Sequence, residues 1–359
     1  MVVFHVALCY MAYAPEWWYT VDKGDPQFSF TMLVMWADIF IMPVMFFISG
    51  YFGLMSLVKQ TDGRFWKSKL VRIIIPWIAG VVILAPPVTF IMFASRGIPM
   101  DYVHDYLFKL FLFGPCFSHV QYWYLGLLTY LYILLYVFCK LKPDFRKQLP
   151  ASIPGAKLFV GFTILSFACT VGGYMYAGGN NDLWTFIWPV LVFQPSRVLL
   201  YPLYFFLGAY AWRHQWFTQG GYKADPTKWL PAFIVTSVAY LFYCIMGAQT
   251  AASMEQYMIV KAAIHILFVL SAVFGLLAIF QSQLDYTNKF LGELAANSYN
   301  MYYTHMGLVM LIAWYFVQFD WSAYVKYIMV SLLSLLASYL TGKLLMIFPC
   351  FASGKKAKN

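Results

Sequence analysis

Charged residues are scarce in this sequence. Asp, Glu, Lys and Arg make up 11% of its 359 residues, whereas a soluble domain carries about a quarter. Hydrophobic residues reach 62% and gather into long blocks separated by short polar joints. Such blocks are typical of helices that cross lipid, and the short alternating strands of a membrane β-barrel would give a different pattern. The composition therefore excludes a soluble protein and predicts an all-α, polytopic integral membrane protein.

Paired cysteines and long polar segments are also missing. The six cysteines show no CxxC spacing, and five of them fall in or at the ends of predicted helices. We interpret them as small core residues and expect neither a disulfide framework nor a metal site. No polar stretch is long enough for a soluble domain. We therefore predict a single transmembrane domain at 1–350 and a short basic cytoplasmic tail at 351–359.

About ten transmembrane helices are predicted, the first of them short. A bilayer needs about 20 apolar residues, whereas the opening run ends at Pro15. An amphipathic interfacial helix is expected at 102–113, and a re-entrant or interfacial segment at 178–195. The predicted spans are 1–14, 31–58, 68–94, 120–140, 156–178, 197–213, 229–248, 257–281, 297–318 and 323–349.

The distribution of Lys and Arg predicts the orientation, because positively charged loops stay on the cytoplasmic side. Of the 24 Lys and Arg residues, 18 lie in the joints 59–72, 140–157, 213–228 and 282–296 or at Lys343 and the tail. Both termini are therefore expected in the cytoplasm. The net charge of +10 is mostly a topology signal. No basic cluster mixed with aromatics suggests a nucleic-acid partner.

Ionisable residues inside predicted spans are costly to bury and point to function. At about 1.5 Å per residue, His5 lies roughly 15 Å and Asp38 roughly 10 Å below the outer surface, so the two could meet. A carboxylate beside an imidazole is the base-and-orienter arrangement of acyl transfer. The competing interpretation is that each histidine only hydrogen-bonds a neighbouring helix, a role that suits Lys261 and His265 better. The ionisable residues in predicted spans are His5, Asp38, Arg197, Lys261, His265 and His305.

Two segments at the predicted membrane surfaces carry candidate binding residues. Lys67, Lys69 and Arg72 lead into the third span from the cytoplasm. They either serve as the basic residues that keep a loop in the cytoplasm, according to the positive-inside rule, or bind the phosphate groups of an anionic substrate. His119 and Trp123 head the fourth span on the outer side. An interfacial aromatic belt explains them, and so does a platform for a sugar.

A third polar segment opens the ninth span. Ser298, Tyr302 and His305 follow one another at spacings of four and three residues, which places them on one helix face. We expect that face to look into the helix bundle.

Five motifs follow one another along the chain. They are "VVFHVAL" in the first predicted helix, "ADIFIMPVMFFISGYF" in the second, "KSKLVRIIIPW" entering the third, "HVQYWYLGLL" in the fourth and "SYNMYYTHMGLV" near the end. In this order the set resembles the membrane-bound acyltransferase 3 family over nearly the whole chain. Within the family, the opening looks most like the glucan biosynthesis protein C-like members.

The resemblance implies a membrane-embedded O-acyltransferase, transferring groups other than aminoacyl groups, in the bacterial inner (plasma) membrane. Such a protein moves an acyl group of the acetyl or succinyl type from cytoplasmic acyl-CoA to a hydroxyl of a glycan or similar acceptor at the outer face. Acyl-CoA is then the donor substrate, a carbohydrate is the acceptor, and no cofactor is bound permanently.

The family motifs map onto this sequence with two departures. His5 matches the first-helix histidine. The cytoplasmic RxxR pattern appears as Lys69-x-x-Arg72, so a lysine replaces one arginine and one guanidinium that could bind a phosphate through two hydrogen bonds is lost. The family also has an arginine about ten residues before the histidine, a position that this sequence does not reach. We expect either a start placed too late or a truncated form, with residues 1–14 as the outer half of the first span.

The resulting hypothesis gives each candidate residue a role. His5, oriented by Asp38, removes the proton from the acceptor hydroxyl, while Lys69 and Arg72 hold the phosphates of coenzyme A. Two alternatives stay open: a transporter or exporter of a small or lipid-linked glycan, and a catalytically inactive truncated family member. The residues expected to bind or support the acceptor are His119, Trp123, Ser298, Tyr302 and His305, the last also as an oxyanion donor.

Overall fold

The computed structural model describes residues 1–15, 18–180 and 183–352. It is 72% helical with almost no strand, which confirms the all-α class. The end of the predicted tail, 353–359, lies outside the described residues. The helices are α1 (Val2–Leu8), α2 (Phe28–Ala37), α3 (Ile41–Lys59), α4 (Asp62–Lys69), α5 (Ile75–Ala79), α6 (Ala85–Ser95), α7 (Trp123–Leu141), α8 (Ala156–Tyr176), α9 (Pro195–Val198), α10 (Leu200–Arg213), α11 (Pro226–Thr250), α12 (Met254–Ser282), α13 (Lys289–Val317) and α14 (Ala323–Leu345), with π-helical segments at Leu70–Ile74, Gly80–Leu84 and Tyr102–Leu112, short 3₁₀ turns at Val120–Tyr122 and Pro143–Arg146, and strands β1 (Thr185–Ile187) and β2 (Leu191–Phe193).

The chain divides into two compact units, each assembled from segments that are distant in sequence. Unit 1 comprises Met1–Val34, Lys67–Gly126 and Thr287–Asn359, and unit 2 comprises Met35–Trp66 and Leu127–Tyr286. Helices α1, α5, α6, α13 and α14 belong to unit 1, and α3 and α8 to α12 belong to unit 2. That the whole chain forms one domain stays a prediction.

Seven helical stretches of the described chain are long and apolar enough to cross a membrane, and each overlaps a predicted span. The predicted count of ten is not confirmed. Helix α1 has seven residues, α10 has fourteen, and the 29 residues of α13 include many polar side chains. The seven stretches are Phe28–Lys59, Asp62–Ser95, Val120–Leu141, Ala156–Tyr176, Pro226–Thr250, Met254–Ser282 and Ala323–Leu345.

The stretch Asp62–Ser95 is a continuous helical rod built from α4, α5 and α6 and the π-helical turns between them. Pro76 interrupts its hydrogen bonding, because a proline has no N–H to donate to the carbonyl of Arg72, four residues earlier. The hydroxyl of Tyr299 donates to that carbonyl instead, at 2.7 Å. Helix α13 thereby satisfies a backbone group that would be costly to leave unpaired in lipid.

Helix α13 also packs against α14, to which a short connection joins it. The side-chain amides of Asn297 and Asn300 donate to the backbone carbonyls of Tyr339 and Gly342, at 2.8 and 3.1 Å. Polar side chains of this kind hold membrane helices together. These contacts fix the rotation of α13 about its axis.

Within unit 2, α3 and α10 pack with their backbones almost in contact. A Cβ on Gly50 would overlap the carbonyl oxygen of Phe205, and a Cβ on Gly208 would overlap that of Phe47. Small residues allow membrane helices to approach this closely. The glycines therefore determine the distance between the two helices.

Two shorter predicted segments contain regular secondary structure, and their placement at a membrane surface stays a prediction. The helix expected at 102–113 is observed as Tyr102–Leu112, and the Asp101 carboxylate accepts hydrogen bonds from the backbone N–H groups of His104 and Val103 at its start. The bond from His104 is the main reason that the pKa of Asp101 lies below its usual value. The segment expected at 178–195 contains the antiparallel β1–β2 hairpin.

Candidate functional site

Helix α1 places His5 against α13. His5 is 7% exposed, and its Nδ1 lies 2.8 Å from Nε2 of His305, which is fully buried. The two rings stack with their centroids 4.9 Å apart and their planes 21° apart. Both histidines belong to unit 1. We call them the imidazole pair.

The hydrogen bonds of the imidazole pair assign its tautomers. Nδ1 of His305 lies 2.6 Å from the backbone carbonyl of Tyr302, which can only accept, so this nitrogen carries the proton. In a neutral ring, Nε2 of His305 is then an acceptor, and Nδ1 of His5 must donate to it. The lone pair of His5 is left on Nε2. This is the nitrogen that a general base uses, held in place by a partner on the opposite nitrogen.

Trp18 covers one side of the imidazole pair. Its ring stacks on His5 with a centroid distance of 5.8 Å and an angle of 23°, and its Nε1 donates to Sγ of Cys9 at 3.5 Å. Trp18 itself is 2% exposed. An aromatic wall excludes water from this face of the imidazole and strengthens its electrostatic interactions.

A buried ion pair connects the segment that carries Trp18 to helix α14. Nζ of Lys326 lies 2.7 Å from the carboxylate of Asp22, and the two side chains are 4% and 2% exposed. The hydroxyl of Thr20 donates to the carbonyl of Met310 on α13, at 3.3 Å. Because a buried ion pair is costly to break by removing one partner, these contacts stabilise the position of the segment.

A strained turn at the start of α7 contacts α13 beside His305. Val120 has a φ of 47°, which is rare for a β-branched residue and occurs mostly at functional sites. The Gln121 amide and the Tyr122 hydroxyl both donate to the carbonyl of Tyr303, at 3.1 and 2.8 Å. The hydroxyl of Tyr302 donates to the carbonyl of Gln121, at 2.5 Å. The turn therefore fixes the part of α13 that orients the imidazole pair.

The remaining acceptor of Gln121 has no partner in the described chain. Because the amide nitrogen of Gln121 faces a carbonyl, its Oε1 is the free end, and this atom is buried without a hydrogen bond to any described residue. His119, two residues earlier, is 1% exposed and accepts from Nε1 of Trp77 at 3.4 Å. Trp123, which opens α7, is half-buried.

The chain matches a known protein family over the residues that form this site. The family model described as an acyltransferase domain, that of the acyltransferase 3 family, matches residues 1–343. The chain belongs to the acyltransferase 3 family. The match includes both members of the imidazole pair.

Curated relatives of this acyltransferase 3 member carry the name "Glucans biosynthesis protein C". They include proteins of Salmonella heidelberg (strain SL476) and Salmonella schwarzengrund (strain CVM19633), each 25% identical over 224 residues. The matched region is 59% of this chain and 55% of each relative, so the chain spans about half the length of the curated relatives it matches. No solved structure matches the chain.

The acyltransferase's basic motif lies on the rod in unit 1. Lys69 ends α4 and is half-buried, and Arg72 follows in the π-helical turn with an exposed side chain. The Tyr299 hydroxyl bonds the backbone carbonyl of Arg72. Tyr299 precedes His305 by six residues, or about 9 Å along α13. The basic motif and the imidazole pair thus lie at different levels of the same unit.

Asp38 lies in unit 2, between α2 and α3. Its carboxylate is 2.6 Å from Nη1 of Arg197, whose side chain is 8% exposed. A buried guanidinium needs such a counter-ion. That Asp38 orients His5 stays a prediction, whereas within unit 1 the hydrogen-bond partner of His5 is His305.

Ser298 departs from the predicted face of α13. It is exposed, and its hydroxyl donates to the carbonyl of Ala295 in the same helix at 2.8 Å. Asn297 and Asn300 are buried instead, because their amides bond the carbonyls of α14. The expectation that Ser298 looks into the bundle is therefore wrong, while Tyr302 and His305 lie where the spacing places them.

Sequence reasoning missed Trp18 and Gln121 as parts of the site. Gln121 had a weak signal, since an amide opening an apolar span is costly to bury without partners. Trp18 had none, because an aromatic residue in an outer loop is ordinary. Within the described residues, no group of three or more His, Cys, Asp and Glu side chains could hold a metal ion.

Proposed function

We propose that this acyltransferase transfers an acyl group of the acetyl or succinyl type from cytoplasmic acyl-CoA to a hydroxyl of a glycan at the outer face of the membrane. The family supports acyl transfer, and the relatives' name supports a glucan or related carbohydrate as acceptor. The concentration of Lys and Arg in one set of joints supports a donor that arrives from the cytoplasm.

The observation that carries the proposal is the imidazole pair. Its hydrogen bonds leave a lone pair on Nε2 of His5 and hold the opposite nitrogen with a donor bond to His305. When His5 takes up a proton, the positive charge is stabilised by that bond, and His305 in turn donates to the Tyr302 carbonyl. His305 thus acts as a positioning residue for His5, the role that is also predicted for Asp38.

The reaction proceeds by addition to the thioester. Nε2 of His5 removes the proton of the acceptor hydroxyl while the hydroxyl oxygen attacks the thioester carbonyl carbon. The carbon–sulfur bond then breaks, an ester forms on the acceptor, and the proton on His5 passes to the sulfur of coenzyme A. Oε1 of Gln121 can accept a hydrogen bond from an N–H or O–H group of a substrate. Trp18 keeps water from the imidazole of His5.

The first test removes the base. In proteoliposomes supplied with labelled acetyl-CoA or succinyl-CoA and a glucose oligosaccharide, His5→Ala should lower ester formation by about 10²–10⁴-fold. His104→Ala, which removes an exposed side chain on the helix Tyr102–Leu112, should leave the rate unchanged. Oligosaccharide that crosses the membrane without gaining an acyl group would indicate a transporter instead. Unchanged ester formation by His5→Ala would refute the role of His5.

The second test concerns the donor. Lys69 and Arg72 are expected to bind the phosphates of coenzyme A through charge-assisted hydrogen bonds. The Lys69→Ala, Arg72→Ala double variant should therefore raise the KM for acyl-CoA at least tenfold with a small change in kcat. The Lys142→Ala, Lys157→Ala double variant, at two exposed positions of another basic joint, removes the same charge and provides the control. An unchanged KM would remove the two residues from the donor site.

A further inference from the structure

A face of α8 in unit 2 carries two buried hydroxyl groups that its own helix does not satisfy. Ser166 and Thr170 are 0% and 1% exposed, and neither hydroxyl has a hydrogen-bond partner in the described chain. Hydroxyls on α11 behave differently: Thr236 donates to the carbonyl of Ala232 at 2.7 Å. A serine or threonine that does not bond its own helix has its hydroxyl available to a neighbouring element.

The element that faces these hydroxyls is the α9–α10 segment. At one end of the face, a Cβ on Gly173 would lie 2.7 Å from the carbonyl oxygen of Pro195. At the other end, the ring of Phe162 meets the ring of Tyr204 edge-on, with centroids 5.1 Å apart. Phe162, Ser166, Thr170 and Gly173 follow at spacings of four, four and three residues and so share one side of α8. Ser166 and Thr170 therefore lie between two points of contact with α9–α10.

The opposing surface also presents buried polar atoms. Ser196, Arg197 and Tyr204 are 2%, 7% and 0% exposed. Their Oγ, Nε and hydroxyl oxygen make no hydrogen bond to any residue that the structure describes. Buried polar groups in native proteins nearly always have a partner, either a protein group or an ordered molecule. We call the set of Ser166, Thr170, Ser196, Arg197 and Tyr204 the α8 seam.

The chemistry of the α8 seam selects its ligand. Four of its groups are hydroxyls, which both donate and accept, and the fifth is an N–H that only donates. The charge of Arg197 is matched by the carboxylate of Asp38 at 2.6 Å, which disfavours an anion. Tyr204 lies eight residues after Ser196, or about 12 Å along the chain at 1.5 Å per residue, a length that accommodates a row of small polar groups.

We propose that the α8 seam is a second polar site, which binds a row of neutral hydroxyl groups supplied by water or by a carbohydrate. The site is formed by residues of unit 2, whereas the imidazole pair is formed by residues of unit 1. It does not depend on the proposed acyl transfer, and neither test below measures that reaction.

The sign of a stability change provides the first test. If a bound hydroxyl group forms a hydrogen bond with Thr170, Thr170→Val should lower the Tm of the purified chain. Thr236→Val is the control: the Thr236 hydroxyl also bonds Ser271 at 2.7 Å, so its removal should lower the Tm as well. If the seam is dry, removing an unsatisfied buried hydroxyl should raise the Tm. A rise in Thr170→Val together with a fall in Thr236→Val would therefore overturn the proposal.

The second test uses the unaltered chain and separates the two sources. X-ray hydroxyl-radical footprinting should oxidise Tyr204 faster than Tyr174, which is equally buried but bonds Nδ1 of His265 at 2.7 Å. A glucose oligosaccharide that slows oxidation of Tyr204 alone would identify carbohydrate as the occupant. If Tyr204 is oxidised faster than Tyr174 and the oligosaccharide does not change its rate, the occupant is water. Equal rates for Tyr204 and Tyr174 with and without the sugar would overturn the proposal.

Discussion

At the scale of single residues, the proposed base, His5, has a second imidazole, that of His305, as its hydrogen-bond partner. A carboxylate partner would stabilise the protonated base more strongly, but it would also bring a full negative charge into a buried site. A neutral imidazole avoids that cost, which is high in a membrane protein. His305 also has two distinct nitrogens, so it can donate to the Tyr302 carbonyl and accept from His5 at the same time. Few side chains do both.

Glutamine is one of those few, and this gives a prediction for His305. His305→Gln keeps an acceptor for the Nδ1–H of His5, whereas His305→Leu removes it and leaves that N–H buried without a partner. We expect His305→Gln to keep at least tenfold more of the kcat than His305→Leu, with a similar KM for acyl-CoA. Steady-state acyl transfer across a range of pH measures both variants, and the pH profile should move only if His305 sets the basicity of His5.

The comparison separates positioning from packing. If His305 only filled space, the apolar Leu variant would keep the activity as well as the Gln variant does. Equal rates in the two, with equal yields of folded protein, would show that the hydrogen bond between the two rings does not matter.

At the scale of helices, the packing of unit 2 depends on backbone contact between α3 and α10. Gly50 and Gly208 each face a carbonyl oxygen of the other helix. Without a hydrophobic drive between helices in lipid, close packing of this kind supplies much of the association energy. The sequence shows these glycines, but it does not show which helix each one meets.

Gly50→Ala tests this contact. The added methyl would overlap the carbonyl of Phe205, and neither backbone can move without separating the two helices. We therefore expect the free energy of unfolding to fall by about 1–3 kcal/mol or more. Gly161→Ala on α8 is the matched control, because nothing lies within 4 Å of its Cβ position. It should be neutral or stabilise by about 0.5–1 kcal/mol through helix propensity. Unfolding in detergent with increasing denaturant measures both, and an equal stability for the two variants would contradict the packing argument.

At the scale of the whole molecule, the sequence predicts the helices better than the site. Long apolar runs define their own spans, so all seven stretches overlap predicted positions. Helices α10 and α13 escape the same criterion because one is short and the other carries the polar residues of the site. His5 and His305 are 300 residues apart, and spacing along a chain carries no information on such a pair. Depth estimates allow Asp38 to lie near His5, but depth fixes only one of three coordinates, so this contact stays a prediction.

The orientation of the chain depends on whether α10 crosses the membrane. In unit 2, the backbone N–H of Leu149 donates to the carbonyl of Arg213 at 2.8 Å, and that of Ser152 donates to the carbonyl of His214 at 3.1 Å. The joint before α8 therefore meets the end of α10. Because α8 is long enough to leave that side of the membrane, α9 and α10 must bring the chain back to it. We expect α10 to cross, despite its length.

Cysteine labelling in intact cells checks this expectation. Asp144→Cys lies in the joint before α8 and Gln219→Cys in the joint after α10, and both positions are exposed. A membrane-impermeant maleimide should label neither until the cells are permeabilised, because both joints carry the positive charges that favour the cytoplasm. His104→Cys, on the opposite side by the same rule, should react in intact cells. Labelling of Gln219→Cys from outside, with Asp144→Cys protected, would show that α10 does not cross and that the basic joint after it breaks the charge rule.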